Sequence, residues 1–128
     1  MRRAHRRVRR NLTAAARADG VDRDRLLHET RKAAKRLRYA AEAARPALGG
    51  NARRLAKRAE ELQEVLGAHQ DDVVTAPVLR RVALSAHQAG ESSFPYGILY
   101  GPATDSAPDP HRLDRLARRL REAAKRSC

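Results

Sequence analysis

A chain of 128 residues has room for one modest hydrophobic core, and with aromatics at 3% that core must be thin and aliphatic. Lys and Arg total 28 against 15 Asp and Glu, a net charge of +13, which draws in polyanions: nucleic acid, polyphosphate or an anionic membrane face. No apolar run approaches the ~18 residues of a membrane span, which excludes one, and the lone cysteine, Cys128, excludes an internal disulfide. The opening MRRAHRRVRR lacks the apolar stretch of a secretory signal, so the default location is the cytoplasm.

Abundant Ala, Leu, Arg, Glu and Lys favour helix throughout. Residues 2–18 read as the first helix, with Ala4, Val8, Leu12 and Ala15 as its apolar stripe. Arg2, Arg6 and Arg9 share one other face, and Arg3, Arg7 and Arg10 share another. Asp19-Gly20 is a stop signal, and Asp22 is placed to cap a second helix running to about Arg45. Pro46 and Gly49-Gly50 predict a break. A third helix starts near Asn51. Its stripe, Leu55, Ala59, Leu62, Leu66, His69 and Val73, has the spacing of a helix packed along another. Arg53, Lys57, Glu60, Glu61 and Glu64 form its outer face, where Lys57 can pair with Glu61.

Helical spacing continues through Ala76, Leu79, Ala83 and Ala86. Pro77 removes a backbone donor, so either the helix kinks there or a new one starts near Asp72 or Thr75. Residues 90–110 read as a loop insertion before the last helix. Phe94, Tyr96, Ile98, Leu99 and Tyr100 are expected to pack on the bundle, with a short helical turn as one form of that packing, and Gly101 to Pro110 to be flexible. From Pro110 a final helix carries Leu113, Leu116, Leu120 and Ala124. The expected fold is all-α: four main amphipathic helices in one bundle-like domain over residues 1–128.

The strongest functional signal lies in the segment from Leu27 to Leu48. On a helix, Leu27, Ala34, Leu37, Ala41, Ala44 and Leu48 form the apolar side. His28, Arg31, Lys35 and Arg38 fall on the neighbouring side, with Lys32 and Tyr39 at its margin and Arg36 in support. Successive basic heads are roughly 5–6 Å apart and repel by a few tenths of a kcal/mol per pair. No acid lies between Glu29 and Glu42 to relieve them, although Glu42 itself can pair with Arg38. A multiply charged anion relieves the repulsion, and the planar fork of arginine suits phosphate oxygens. Arg6, Arg9 and Lys57 are second-tier ligands from neighbouring helices.

Catalytic machinery is not legible. His28 lacks the second histidine of a zinc-protease helix, since position 32 is lysine, and the other histidines lack ligand spacing, so no metal is expected. Asp71 and Asp72 read as a cap or an ion pair. Ser85, Ser92, Ser93 and Ser106 have no nucleophile-elbow context, and no glycine-rich phosphate loop or cofactor motif is present. Non-specific nucleic-acid binding is the alternative to polyphosphate. It needs the same charges, but the basic helix offers only Tyr39 for stacking.

The run LHETRKAAKRLRYAAE resembles the signature of the CHAD family, the conserved histidine α-helical domain, at His28, Arg31, Lys35, Arg36, Arg38 and Tyr39. A second block, LQEVLGAHQDDVV, is similar to a downstream family segment at Leu62, Gln63, Leu66, Gly67, Asp72 and Val73, and YGILYG loosely resembles a later one. The resemblance implies an all-helical, non-catalytic module that binds inorganic polyphosphate through basic helix faces lining a cavity. It also implies association with polyphosphate granules. The chain resembles the C-terminal half of a longer family domain built from two similar halves. Two explanations compete: a homodimer, each copy supplying one wall, or a remnant with reduced binding; the surface that a partner half would cover favours the homodimer.

Overall fold

The computed structural model describes residues 1–104 and 108–127. Among them are six α-helices: α1 (Arg2–Ala16), α2 (Gly20–Ala43), α3 (Arg45–Leu48), α4 (Gly50–Gln88), α5 (Phe94–Thr104) and α6 (Pro110–Ser127). They fall into two compact units. The first holds α1, α2, α3, the part of α4 up to Gly67, and α6; the second holds the rest of α4 and α5.

Several boundaries move from their expected places. The first helix stops at Ala16, and the cap position before α2 is Asp19 rather than Asp22, without a side-chain cap bond. Gly20 opens α2 at φ 56, a left-handed conformation that a side chain resists. The second helix ends at Ala43, and Pro46 occupies the first turn of the four-residue α3. Gly49, at φ 55, then turns the chain into α4, so Asn51 lies inside that helix and does not cap it.

Alternating large and small apolar side chains build the core of the first unit. Leu27, Ala34, Leu37 and Ala41 of α2 meet Leu55, Ala59, Leu62 and Leu66 of α4, with Val8 of α1 and Leu120 of α6 closing the cluster. Ala33 and Thr30 are also fully buried; the Thr30 hydroxyl donates to the Leu26 carbonyl at 2.7 Å, so its burial leaves no unmet donor. Each fully buried leucine contributes about 1.5–3 kcal/mol relative to exposure. Ala44 and Leu48, expected on the same stripe, are half-buried and exposed, because the break after Ala43 takes them off the α2 face. At the far end of α6, Ser127 Oγ lies 2.9 Å from the Asn51 carbonyl and 3.0 Å from that of Ala123, fixing the last turn of α6 beside the first turn of α4.

In the second unit α4 continues through Pro77, and no new helix begins at Asp72 or Thr75. Gly90, at φ 77, ends α4, with the Glu91 amide donating back to the Ala86 carbonyl at 2.8 Å. The stretch 90–110, expected as a loop, contains the 11-residue helix α5. Tyr96, Gly97 and Tyr100 of α5 share a shallow depression with Leu79, Arg80 and Ala83 of α4. Phe94, Ile98 and Leu99, expected to pack, are exposed at 72%, 57% and 58%. Of the segment expected to be flexible, residues 105–107 lie outside the described residues, as does Cys128. No described helix is long and apolar enough to cross a membrane.

Candidate functional site

The flank of α2 next to its apolar stripe meets the first part of α4, and the sequence there decides how each basic side chain is held. Arg38 is the most engaged. Its Nη1 donates to Gln63 Oε1 at 3.1 Å and stands 3.7 Å from Glu60 Oε1, while its Nε is 3.2 Å from Glu42 Oε1. With its side chain 24% exposed, Arg38 is a bridge between two helices with its charge answered by carboxylates from both. Tyr39 has two cations near its ring, the centroid being 5.2 Å from Arg38 Cζ and 5.8 Å from Lys35 Nζ.

Arg31 is held in another way. Its half-buried guanidinium lies against the backbone of Gly67: a Cβ at that position would stand 3.2 Å from Arg31 Nε and 3.5 Å from Nη2. The missing side chain makes the room. Arg31, Lys35 and Arg36 pair with no carboxylate among the described residues. Arg31 and Lys35 are one turn apart on the same side, whereas Arg36 projects from the opposite, exposed side of the helix. His28 begins the row; it is half-buried, and its Nδ1 is buried without a protein hydrogen-bond partner.

Lys32 leaves the row. It pairs with Glu29 at 2.5 Å, and Arg7 of α1 approaches the same carboxylate at 4.0 Å. The hydrogen bond from Lys32, foremost, and the charges of Lys32, Arg7 and His28 hold the Glu29 carboxyl below its ordinary 4.5. The expected pair of Lys57 with Glu61 does not form: Arg58 takes Glu61, with both carboxylate oxygens at 3.0 Å, and Lys57 is exposed.

Nor do the second-tier arginines of α1 join the row. Arg6 and Arg9 line an open depression of about 740 Å³ on α1 itself, together with Arg3, Arg7, Arg10 and Arg17. Arg9 also borders the groove shared with Leu27 of α2 and with Leu113 and Arg121 of α6. Arg9 and Arg121 also act on His5, whose pKa lies below 6.5 chiefly through burial. The structure thus brings His28, Arg31 and Lys35 together, diverts Arg38 and Lys32 into ion pairs, and leaves Arg6, Arg9 and Lys57 elsewhere.

Gly67, Gln63 and Glu60 were not foreseen as part of this arrangement. Their signal was present: Gln63 and Gly67 belong to the LQEVLG block, and that block is where Arg38 and Arg31 land. The two blocks are therefore two sides of one seam. A sequence model of the CHAD domain matches residues 1–80, which contain both.

The chain belongs to the CHAD family.

Among the relatives of this CHAD chain are two uncharacterized proteins of Mycobacterium tuberculosis, from strains CDC 1551 and H37Rv. Each is 38% identical over 129 residues, covering 97% of the chain and 24% of the relative. The chain spans about a quarter of the length of these curated relatives. No solved structure matches it. Among the described residues, no group of three or more His, Cys, Asp or Glu side chains could hold a metal ion.

Proposed function

We propose that this CHAD chain is a non-catalytic binder of inorganic polyphosphate, with His28, Arg31 and Lys35 as the contact row. The observation that carries this reading is the selective absence of carboxylates: Lys32 and Arg38 are paired, while Arg31 and Lys35 on the same helix are not, among the described residues. Two cations one turn apart repel. A phosphate chain along the row replaces that repulsion with charge-assisted hydrogen bonds, each worth about 1.5–3 kcal/mol. Arg36 and Lys57, exposed on other faces, supply longer-range attraction only. Arg6 and Arg9 add a separate basic face on α1 that a long polymer can reach after leaving the row.

Dimerisation and location at cytoplasmic polyphosphate granules belong to the same reading. Exposed Val74, Val78 and Val82, one turn apart on α4, favour self-association. A mass that stays monomeric at micromolar protein would remove the dimer and leave the row.

Titration calorimetry of the full chain with long-chain polyphosphate at two salt concentrations tests the reading. Arg31→Glu with Lys35→Glu should weaken binding at least a hundredfold, flatten the salt dependence and leave the helical circular dichroism intact. Unchanged affinity would overturn the assignment to α2. Competition decides against nucleic acid: polyphosphate should displace duplex DNA far better than the reverse. The opposite ranking would make DNA the ligand.

A further inference from the structure

Basic side chains also converge away from the α2 row, on the other flank of α4. Arg54 and Arg58 of α4 face Arg119, Lys125 and Arg126 of α6 across a cleft of about 330 Å³, with Glu122 as the acid among them. Arg58 is chelated by Glu61, so its charge is answered. Arg54, Arg119, Lys125 and Arg126 remain, set against Glu122 alone. Part of this has a structural explanation, since Lys125 and Arg126 sit in the last turn of α6, where cations complement the helix dipole. Arg54 has none. It stands near the start of α4, the end at which a cation is disfavoured, and no acid occupies that first turn.

The cleft is built rather than incidental. Ser127, bonded to the Asn51 carbonyl at 2.9 Å, ties the two helix ends together and fixes the distance between the walls. Gln63, which receives Arg38 of α2, is five residues beyond Arg58 and so about 140° away around α4. The two basic regions consequently face different directions on the same helix.

We infer that the α4–α6 cleft is a second anion site, specific for a short inorganic oligophosphate. A surplus of cations with forked donors calls for several phosphate oxygens. Its volume of about 330 Å³ is enough for a few phosphate groups. No aromatic ring lines the cleft, so a nucleoside attached to the phosphates gains nothing there. This site uses other residues than the α2 row and stands or fails separately from it.

The test is a nitrogen-15 NMR titration of the full chain with sodium tripolyphosphate at fixed ionic strength, following the Nε–H signals of Arg54, Arg119 and Arg126. These should shift and saturate. Arg54→Gln with Arg126→Gln should raise the cleft dissociation constant at least tenfold. Arg31→Gln with Lys35→Gln should leave it unchanged, and ATP should bind no tighter than tripolyphosphate. If the cleft double variant loses helicity, Arg119→Gln, an exposed change on α6, carries the same expectation. Signals that do not saturate, cleft variants that titrate like the wild type, or loss of the cleft response in the α2 variant would overturn the site. Much tighter binding of ATP would overturn its specificity.

Discussion

Arg31 and Arg38 are seven residues apart, hence on the same line of α2, and α4 receives them in opposite ways. At Arg38 it offers Gln63 and Glu60, and the guanidinium becomes part of the scaffold. At Arg31 it offers the bare backbone of Gly67, and the guanidinium is positioned but not neutralised. A charge can thus be fixed in space in two ways. Pairing fixes it and spends it; removing a side chain from the opposing helix fixes it and keeps it available. That difference separates a structural arginine from a ligand-binding one within a single basic run.

The comparison is sharpened first by asking what holds the seam. Leu62 is fully buried beside Gln63, and Leu62→Ala should cost about 2–5 kcal/mol of stability. Arg38→Gln, which removes a partly exposed bridge, should cost about 1 kcal/mol. Urea denaturation of both variants measures this. Comparable losses would mean that Arg38, not the leucine layer, carries the α2–α4 contact.

A second experiment attempts to convert one arginine into the other. Glu42→Gln with Glu60→Gln removes both carboxylates from Arg38 while leaving Gln63 to hold it. Polyphosphate affinity should rise, by up to about tenfold, since a freed arginine offers charge-assisted bonds to the ligand. Affinity unchanged by the double substitution would show that Arg38 is screened by position rather than by pairing.

Third, Gly67→Ala places a methyl group 3.2 Å from Arg31 Nε, so the flexible guanidinium must yield by a few tenths of an ångström. Alanine gains up to ~1 kcal/mol of helix propensity over glycine. Stability should therefore hold or rise while polyphosphate affinity falls a few-fold. A fall in stability without a change in affinity would assign Gly67 to packing alone.

How far all this was legible in the chain depends on what sets each feature. Helices came from periodicity, and Leu27, Leu37, Leu55, Leu62 and Leu66 are buried as their spacing required. Within 90–110 the helix is longer than a single turn: Pro95 and Gly97 signal a loop, yet Pro95 falls at the second position of α5, where its missing amide costs nothing. At the site, the basic face of α2 followed from one helix alone. Which of its cations would be neutralised did not, because Glu60 is 22 positions from Arg38 and enters only through packing. Glu42, four positions from Arg38, was readable and does pair with it. The same locality explains why Lys57 was given Glu61: the i, i+4 rule allows it, but Arg58 reaches that carboxylate from three positions away.

The smallest effect extends the comparison to α1, where Arg9 and, from α6, Arg121 act on a partly buried histidine. His5 is partly buried, and burial foremost, then Arg9 and Arg121, lowers its pKa below 6.5. In the window between that lowered value and 6.5 the unfolded chain binds the proton more readily than the folded one, so stability rises with pH. The contribution is complete above pH 6.5 and is lost as the pH falls through the window. His5→Gln, neutral at every pH, should leave stability at pH 7.5 nearly unchanged and reduce the loss between pH 7.5 and 5.5. Denaturant midpoints of the two chains at both pH values isolate His5 from the other histidines. An identical pH dependence would mean that the arginines beside His5 are screened by solvent. Unpaired cations would then have a measurable cost only where a helix seam confines them, as at Arg31.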